Sequence, residues 1–196
     1  MKKVLYILKI LKLNIKTILI FTLLGGLFSF TVTEYLIPKR YTSSVTMWVG
    51  YQRPVMSIDN AFYLEQELFS TYFVIIKSKQ VLQQVSDELI NNNLYYDIDS
   101  LRSFLKFKKT EKTELFEVLV TTKDKFASKT IADAIMKFAP DEIKRVVKAE
   151  RVEIVEPAYF PEKPSFPNLP LFTLIGALIS LIISSTVIII KNSKVT

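Results

Sequence analysis

Two long apolar runs break an otherwise mixed sequence, one from roughly Ile18 to Ile37 and one from Leu171 to Ile190. A helix needs about 20 apolar residues to cross the hydrocarbon of a bilayer. The second run carries no charged residue, and the first is interrupted only by Glu34 near one end. The pattern predicts transmembrane helices over 17–37 and 171–190. A cleaved signal peptide is the competing reading of the first run, since basic residues precede an apolar core. The core is long, however, and the bulky "TVTEYLIP" segment offers no small-x-small cleavage site, which favours a retained anchor.

Between the runs the pattern shortens to the periods of a folded domain, 38–156. "YTSSVTMWVG" (Tyr41–Gly50) is rich in β-branched and aromatic residues and predicts a strand. Leu64, Leu68, Tyr72 and Ile75 have the spacing of an amphipathic helix. "SKQVLQQVSDEL" predicts a second helix capped by Ser78, and "DIDSLRSFL" a short one opened by Asp99. "FEVLVTT" (Phe116–Thr122) predicts a strand. Asp124 then caps a long helix with Ala127, Ile131, Ala134 and Phe138 on its apolar face, which Pro140 is expected to kink or restart. "RVEIVEPA" is the last strand. The expected fold is an α+β domain between two transmembrane helices, with a small sheet near the membrane and amphipathic helices. Because both ends of the domain return to a membrane helix, Tyr41–Gly50 is expected to pair with Val152–Glu156. No internal repeat stands out along the chain.

The segment 157–170 carries Pro157, Pro161, Pro164, Pro167 and Pro170. Proline fixes φ near −65° and donates no hydrogen bond, so such a segment favours polyproline II. Three residues per turn would align the last four prolines on one face, spanning on the order of 28 Å from Pro161 to Pro170. The expectation is a semi-rigid strut leading into the second membrane helix, with Pro170 in its first turn. A docking site for a proline-recognising partner is the alternative.

Charge adds orientation. The net charge is +7. Lys2, Lys3, Lys9, Lys12 and Lys16 lie in the N-terminal segment 1–16, and Lys191 and Lys194 in the tail 191–196, with no acid in either. The middle of the chain is nearly neutral. Positive flanks stay in the cytoplasm, so both termini are expected there and the central domain outside. The pI of about 9.4 is thereby a topology signal and implies no nucleic-acid partner. These lysines also suit contact with anionic lipid headgroups. Interleaved with Leu5, Leu8, Leu11 and Ile15, they predict an amphipathic lead-in helix. The chain has no cysteine, as fits an outer domain built without disulfides.

Candidate chemistry is sparse. There is no histidine, no cysteine and no G-x-x-x-x-G-K-[ST] motif, which removes the commonest general base, thiol catalysis and one route to nucleotides. The carboxylate pairs Glu65/Glu67, Asp97/Asp99 and Asp141/Glu142 could serve glycoside hydrolysis. Solvated helix faces, or a turn and cap, account for them better. Trp48 and Tyr51 are candidates for stacking on sugar rings, although an aromatic residue on a strand usually packs in a core. "KFKKTEK" (Lys106–Lys112) reads as a solvated strand or turn before a contact for an acidic polymer. Within the membrane runs, Gly176, Ser180 and Ser184 recur on one helix face, and Thr22, Gly25, Gly26 and Ser29 mark another. Small residues at such spacing let helices approach closely. No catalytic residue, metal ligand or cofactor site is expected.

The order of these features resembles the polysaccharide co-polymerases, the chain-length determinant (Wzz-type) family with its Gram-positive capsule-biosynthesis relatives. The resemblance rests on "YTSSVTMWVG", "IIKSKQVLQQVSDEL", "FEVLVTTKDKFASKTIADAIMKF" and "VEIVEPAYFPEKPSFPN" directly before a membrane helix. It implies a non-enzymatic, two-pass protein of the bacterial plasma or inner membrane. Such a protein would form a homo-oligomer beside a polysaccharide polymerase, contact the growing glycan, and regulate the length of capsule, exopolysaccharide or O-antigen. An adaptor for a cytoplasmic tyrosine kinase is the alternative function, although capsule-type members that activate such a kinase usually have a longer tail than "KNSKVT".

Overall fold

The computed structural model describes residues 2–50, 69–110, 113, 115–149 and 151–193. They divide into two compact units, 40–165 and the pair of terminal segments 1–39 and 166–196.

The larger unit holds a four-stranded antiparallel sheet made of β1 (Tyr41–Gly50), β2 (Leu105–Lys109), β3 (Leu115–Thr122) and β4 (Arg151–Glu156), ordered β2-β3-β1-β4. The expected pairing of the first and last strands is present. Met47 stands opposite Ile154 and Val49 opposite Val152, with a bulge between Thr46 and Met47. Alternation puts Val45, Met47, Phe116, Val118 and Val120 on one face, where all five are fully buried.

That face is covered by helices. The helical residues 69–76 (α3) contribute Tyr72, Ile75 and Ile76, α4 (Lys79–Ile90) contributes Val81, Leu82, Val85 and Leu89, and α6 (Lys125–Val147) contributes Ile131, Ile135 and Ile143. A short helix, α5 (Ile98–Phe104), adds Leu101. Leu64 and Leu68, expected to open α3, lie outside the described residues. The caps at Ser78 and Asp124 form as expected, accepting from the Val81 and Phe126 amides.

Two expectations change. α5 starts two residues earlier than expected, with Asp97 rather than Asp99 as its N-cap residue, while Asp99 sits in the first turn and pairs with Arg102 at 2.9 Å. Of the kink or restart expected at Pro140, the restart does not occur, because α6 runs through it. An interior proline costs about 3 kcal/mol, but Ala139 and Ile143 continue the buried stripe of Ile131 and Ile135 past it. Burial of that stripe outweighs one lost backbone bond. The segment "KFKK", read as a solvated strand or turn, is a strand as expected: it forms the edge strand β2, with Lys106 and Lys108 exposed. Charged side chains on an edge discourage pairing with other strands.

The smaller unit consists of α1 (Lys2–Leu13), α2 (Ile15–Tyr35) and α7 (Leu169–Ser193). α2 and α7 are long and apolar enough to cross a membrane. Pro170 is the second residue of α7, where its missing N–H leaves no helical acceptor unfilled.

Candidate functional site

α2 and α7 run antiparallel and meet through their small residues. A Cβ placed on Gly25 would lie 2.2 Å from the Cβ of Ser180, and one on Gly176 would lie 2.2 Å from the Cβ of Ser29. No side chain fits at either glycine without parting the helices. Each serine also reaches across. Ser29 Oγ donates to the Phe172 carbonyl at 2.8 Å, and Ser180 Oγ to the Phe21 carbonyl at 2.6 Å.

These contacts are related by an approximate two-fold axis, and the sequence shows why. Residues 21–29 read FTLLGGLFS and residues 172–180 read FTLIGALIS. The same Phe-x-x-x-Gly-x-x-x-Ser frame faces itself in reverse. The chain therefore does contain an internal repeat, contrary to expectation. The two copies differ where Gly26 meets Ala177, whose Cβ is 3.5 Å from the position a Gly26 Cβ would take. Ser184, one turn beyond Ser180, is buried but bonds its own helix at the Leu181 carbonyl, and Thr22 likewise bonds the Ile18 carbonyl.

Around this seam the surface is apolar. Leu19, Ile20, Leu23, Leu24, Leu27 and Phe28 are exposed on α2, as are Leu174, Leu178, Ile179, Ile182 and Ile183 on α7. Such an exterior suits lipid rather than water. Lys9 and Lys12 are exposed on α1, Lys16 at the start of α2 and Lys191 near the end of α7. The side chains of Lys2 and Lys3 and the whole of Lys194 lie outside the described residues.

The proline segment does not form one straight rod. Tyr159 and Ser165 would stand roughly 19 Å apart as polyproline II. Instead both are tied to neighbouring residues of β1. The Tyr159 carbonyl accepts from Ser43 Oγ at 2.7 Å, and the Ser165 hydroxyl lies 2.7 Å from that of Thr42. The Ser165 amide donates to the Arg40 carbonyl at 2.8 Å. Residues 159–165 thus arch over the start of β1. Pro161 is buried while Pro157 and Pro164 are exposed, so the prolines of this unit present no common face. Pro167 is buried, and Pro170 is exposed at the start of α7.

The other candidates have structural partners. The Asp97 carboxyl is held below its usual range by a hydrogen bond from the Ser100 side chain. Glu142 is lowered likewise by its hydrogen bond with Arg145, 2.6 Å away, and also accepts from Gln80 at 3.1 Å. The Trp48 indole lies across Gly50, where a Cβ would meet its ring at 2.5 Å. Glu65, Glu67 and Tyr51 lie outside the described residues. Among the described residues no cluster of acidic side chains could hold a metal ion.

Residues 4–89 match the family model of the chain length determinant protein, Wzz. Over 189 residues the chain is 28% identical to the capsular polysaccharide biosynthesis protein CapA of Staphylococcus aureus, covering 95% of this chain and 84% of that one. The type 8 protein cap8A and the type 5 protein cap5A of the same species are each 28% identical over 156 residues, covering 76% of this chain and 67% of theirs. Through residues 4–89 and through these capsule proteins, the chain bears out its resemblance to the Wzz-type chain length determinants and their Gram-positive capsule relatives.

Proposed function

We propose that this protein is a non-enzymatic membrane regulator of surface polysaccharide length, acting as an oligomer beside the polymerase. The observation that carries the reading is the match of residues 4–89 to the chain length determinant family. Two membrane-length helices enclosing an α+β unit support it, as does the similarity to CapA along most of the chain. In this reading α2 and α7 anchor a domain that faces away from the cytoplasm. The basic residues Lys9, Lys12, Lys16 and Lys191 keep both ends inside. The sheet and helices supply surfaces for neighbouring subunits, and the proline segment is a stiff connection into α7.

Deleting the gene tests this. The expected result is an altered length distribution or amount of capsule or exopolysaccharide on a gel, restored by the wild-type gene. Unchanged polymer would overturn the proposal. An adaptor for a cytoplasmic tyrosine kinase is the second reading, since the similarity extends to proteins of capsule synthesis. Removing 191–196 separates the two, because a lost phosphotyrosine signal with normal polymer length would favour the adaptor.

A further inference from the structure

The arch at 159–165 encloses a shallow concavity of about 480 Å³, lined by Thr42, Tyr159, Phe160, Pro161, Glu162, Lys163 and Ser165. The hydrogen bonds of Tyr159 and Ser165 to Ser43, Thr42 and Arg40 pre-form it, and the fixed φ of Pro161 and Pro164 stiffens it. Tyr159 and Phe160 are about half exposed there, on a domain whose other large aromatic residues mostly pack inward.

We infer that this concavity binds an acidic saccharide unit, an inference that rests on the polysaccharide role proposed above. Aromatic faces suit the C–H faces of a pyranose ring, and the Glu162 carboxylate suits its hydroxyl groups, while the Thr42 and Ser165 hydroxyls are taken up by each other, Thr121 and the Arg40 carbonyl. Charge selects the class. Lys163 lines the site, and Lys125 Nζ lies 5.4 Å from the centre of the Phe160 ring. Counting Lys125 beside the lining Phe160 ring, two ammonium groups and one carboxylate lie in or next to the concavity, so a sugar bearing a carboxylate is favoured over a neutral one. Neither Lys163 nor Glu162 is held in an ion pair among the described residues, which leaves both for a ligand.

The test uses the full-length protein in detergent micelles. One probe is an oligosaccharide of alternating glucuronic acid and N-acetylglucosamine, and the other is neutral maltohexaose. Saturation-transfer NMR is expected to show transfer to the acidic probe and little to the neutral one. Tyr159→Ala with Phe160→Ala should weaken binding by roughly tenfold, and Lys125→Ala with Lys163→Ala by roughly fivefold. Trp48 fluorescence and the unfolding midpoint check that each variant is folded. Equal binding of both probes, no binding of the acidic one, or wild-type affinity in the folded aromatic variant would each overturn the inference. Any of these would leave the length-regulator reading standing if gene deletion still alters the polymer. Unchanged polymer on deletion would remove that reading instead, whatever the site binds.

Discussion

The two units hide opposite things. The sheet-and-helix unit buries large apolar side chains, with Phe116, Met47, Ile76 and Leu82 shut from solvent, and exposes charge. The helix pair exposes its large apolar side chains and hides glycine, serine and backbone. Water makes apolar burial the driving force in the first case. In hydrocarbon that force is absent, so close backbone approach and hydrogen bonds must supply the attraction. One chain thus uses two packing rules, each legible from what lies at its contacts.

The contrast breaks most sharply at Phe116, which stacks near Tyr72 at 5.4 Å and meets Phe69 edge-on at 6.1 Å. Phe116→Ala should cost about 3–5 kcal/mol in the sheet unit. The chain has a single tryptophan, Trp48 on β1, so its fluorescence during denaturant unfolding follows that unit alone. A large-to-small change on the exposed face of α2, such as Leu23→Ala, should leave that midpoint unmoved.

At the helix seam the sizes reverse, and adding a methyl group does the harm. Gly25→Ala and Gly176→Ala should each destabilise the pair by roughly 1–3 kcal/mol, as overpacking does. Gly26→Ala should be tolerated, because its new Cβ would meet Ala177 at 3.5 Å, an ordinary contact. The cysteine-free sequence allows a cysteine pair placed across α2 and α7 to report pairing by disulfide yield in membranes. Equal yields for Gly25→Ala and Gly26→Ala would show that the seam does not bring the helices together as described.

The hydroxyls should matter less. Ser29→Ala and Ser180→Ala each remove one interhelical bond, worth about 0.6 kcal/mol and at most roughly 1.7 in membrane proteins. By the two-fold relation their effects on cross-linking yield should be equal, and the double variant should show both. A much larger effect of one would mean that the two bonds are not equivalent.

The smallest effect is expected at the Glu142–Arg145 pair of α6. Arg145 holds the Glu142 carboxyl below its ordinary value of 4.5. A lowered carboxyl contributes stability above the unfolded value and loses it as pH falls through the folded one. Wild type should exceed Glu142→Gln slightly in thermal midpoint at neutral pH, and the two curves should converge as pH drops below about 4.5. The gap should also shrink with salt, as for exposed ion pairs.

Much of this was legible in the chain itself. Apolar run length predicted α2 and α7, β-branched and aromatic content predicted β1, "FEVLVTT" predicted the strand β3, and cap chemistry placed Ser78 and Asp124. These signals are local, since each depends on residues within a few turns of one another. Asp97 and Asp99 show the limit of that reading, because either carboxylate could open α5 and only the path of the preceding chain chooses. β2 was ambiguous for a similar reason. A short lysine-rich stretch becomes a strand when β3 offers it an edge, with Phe107 opposite Val118.

What only the tertiary structure decided involves partners far apart in sequence. Pro140 is carried inside α6 because the buried stripe on either side of it has a sheet and α4 to pack against. The prolines after β4 bend into an arch because the start of β1 offers hydroxyls and a carbonyl that an isolated polyproline segment would lack. The FTLLGGLFS and FTLIGALIS segments stood in the sequence throughout, but composition alone marked each merely as a small-residue face. Ser29 bonds a carbonyl 143 residues away and Ser180 one 159 residues away. A hydroxyl's choice of acceptor at such separations depends on which backbones come within reach. That is set by the packing of whole helices, where the sequence of either one says only that close approach is possible.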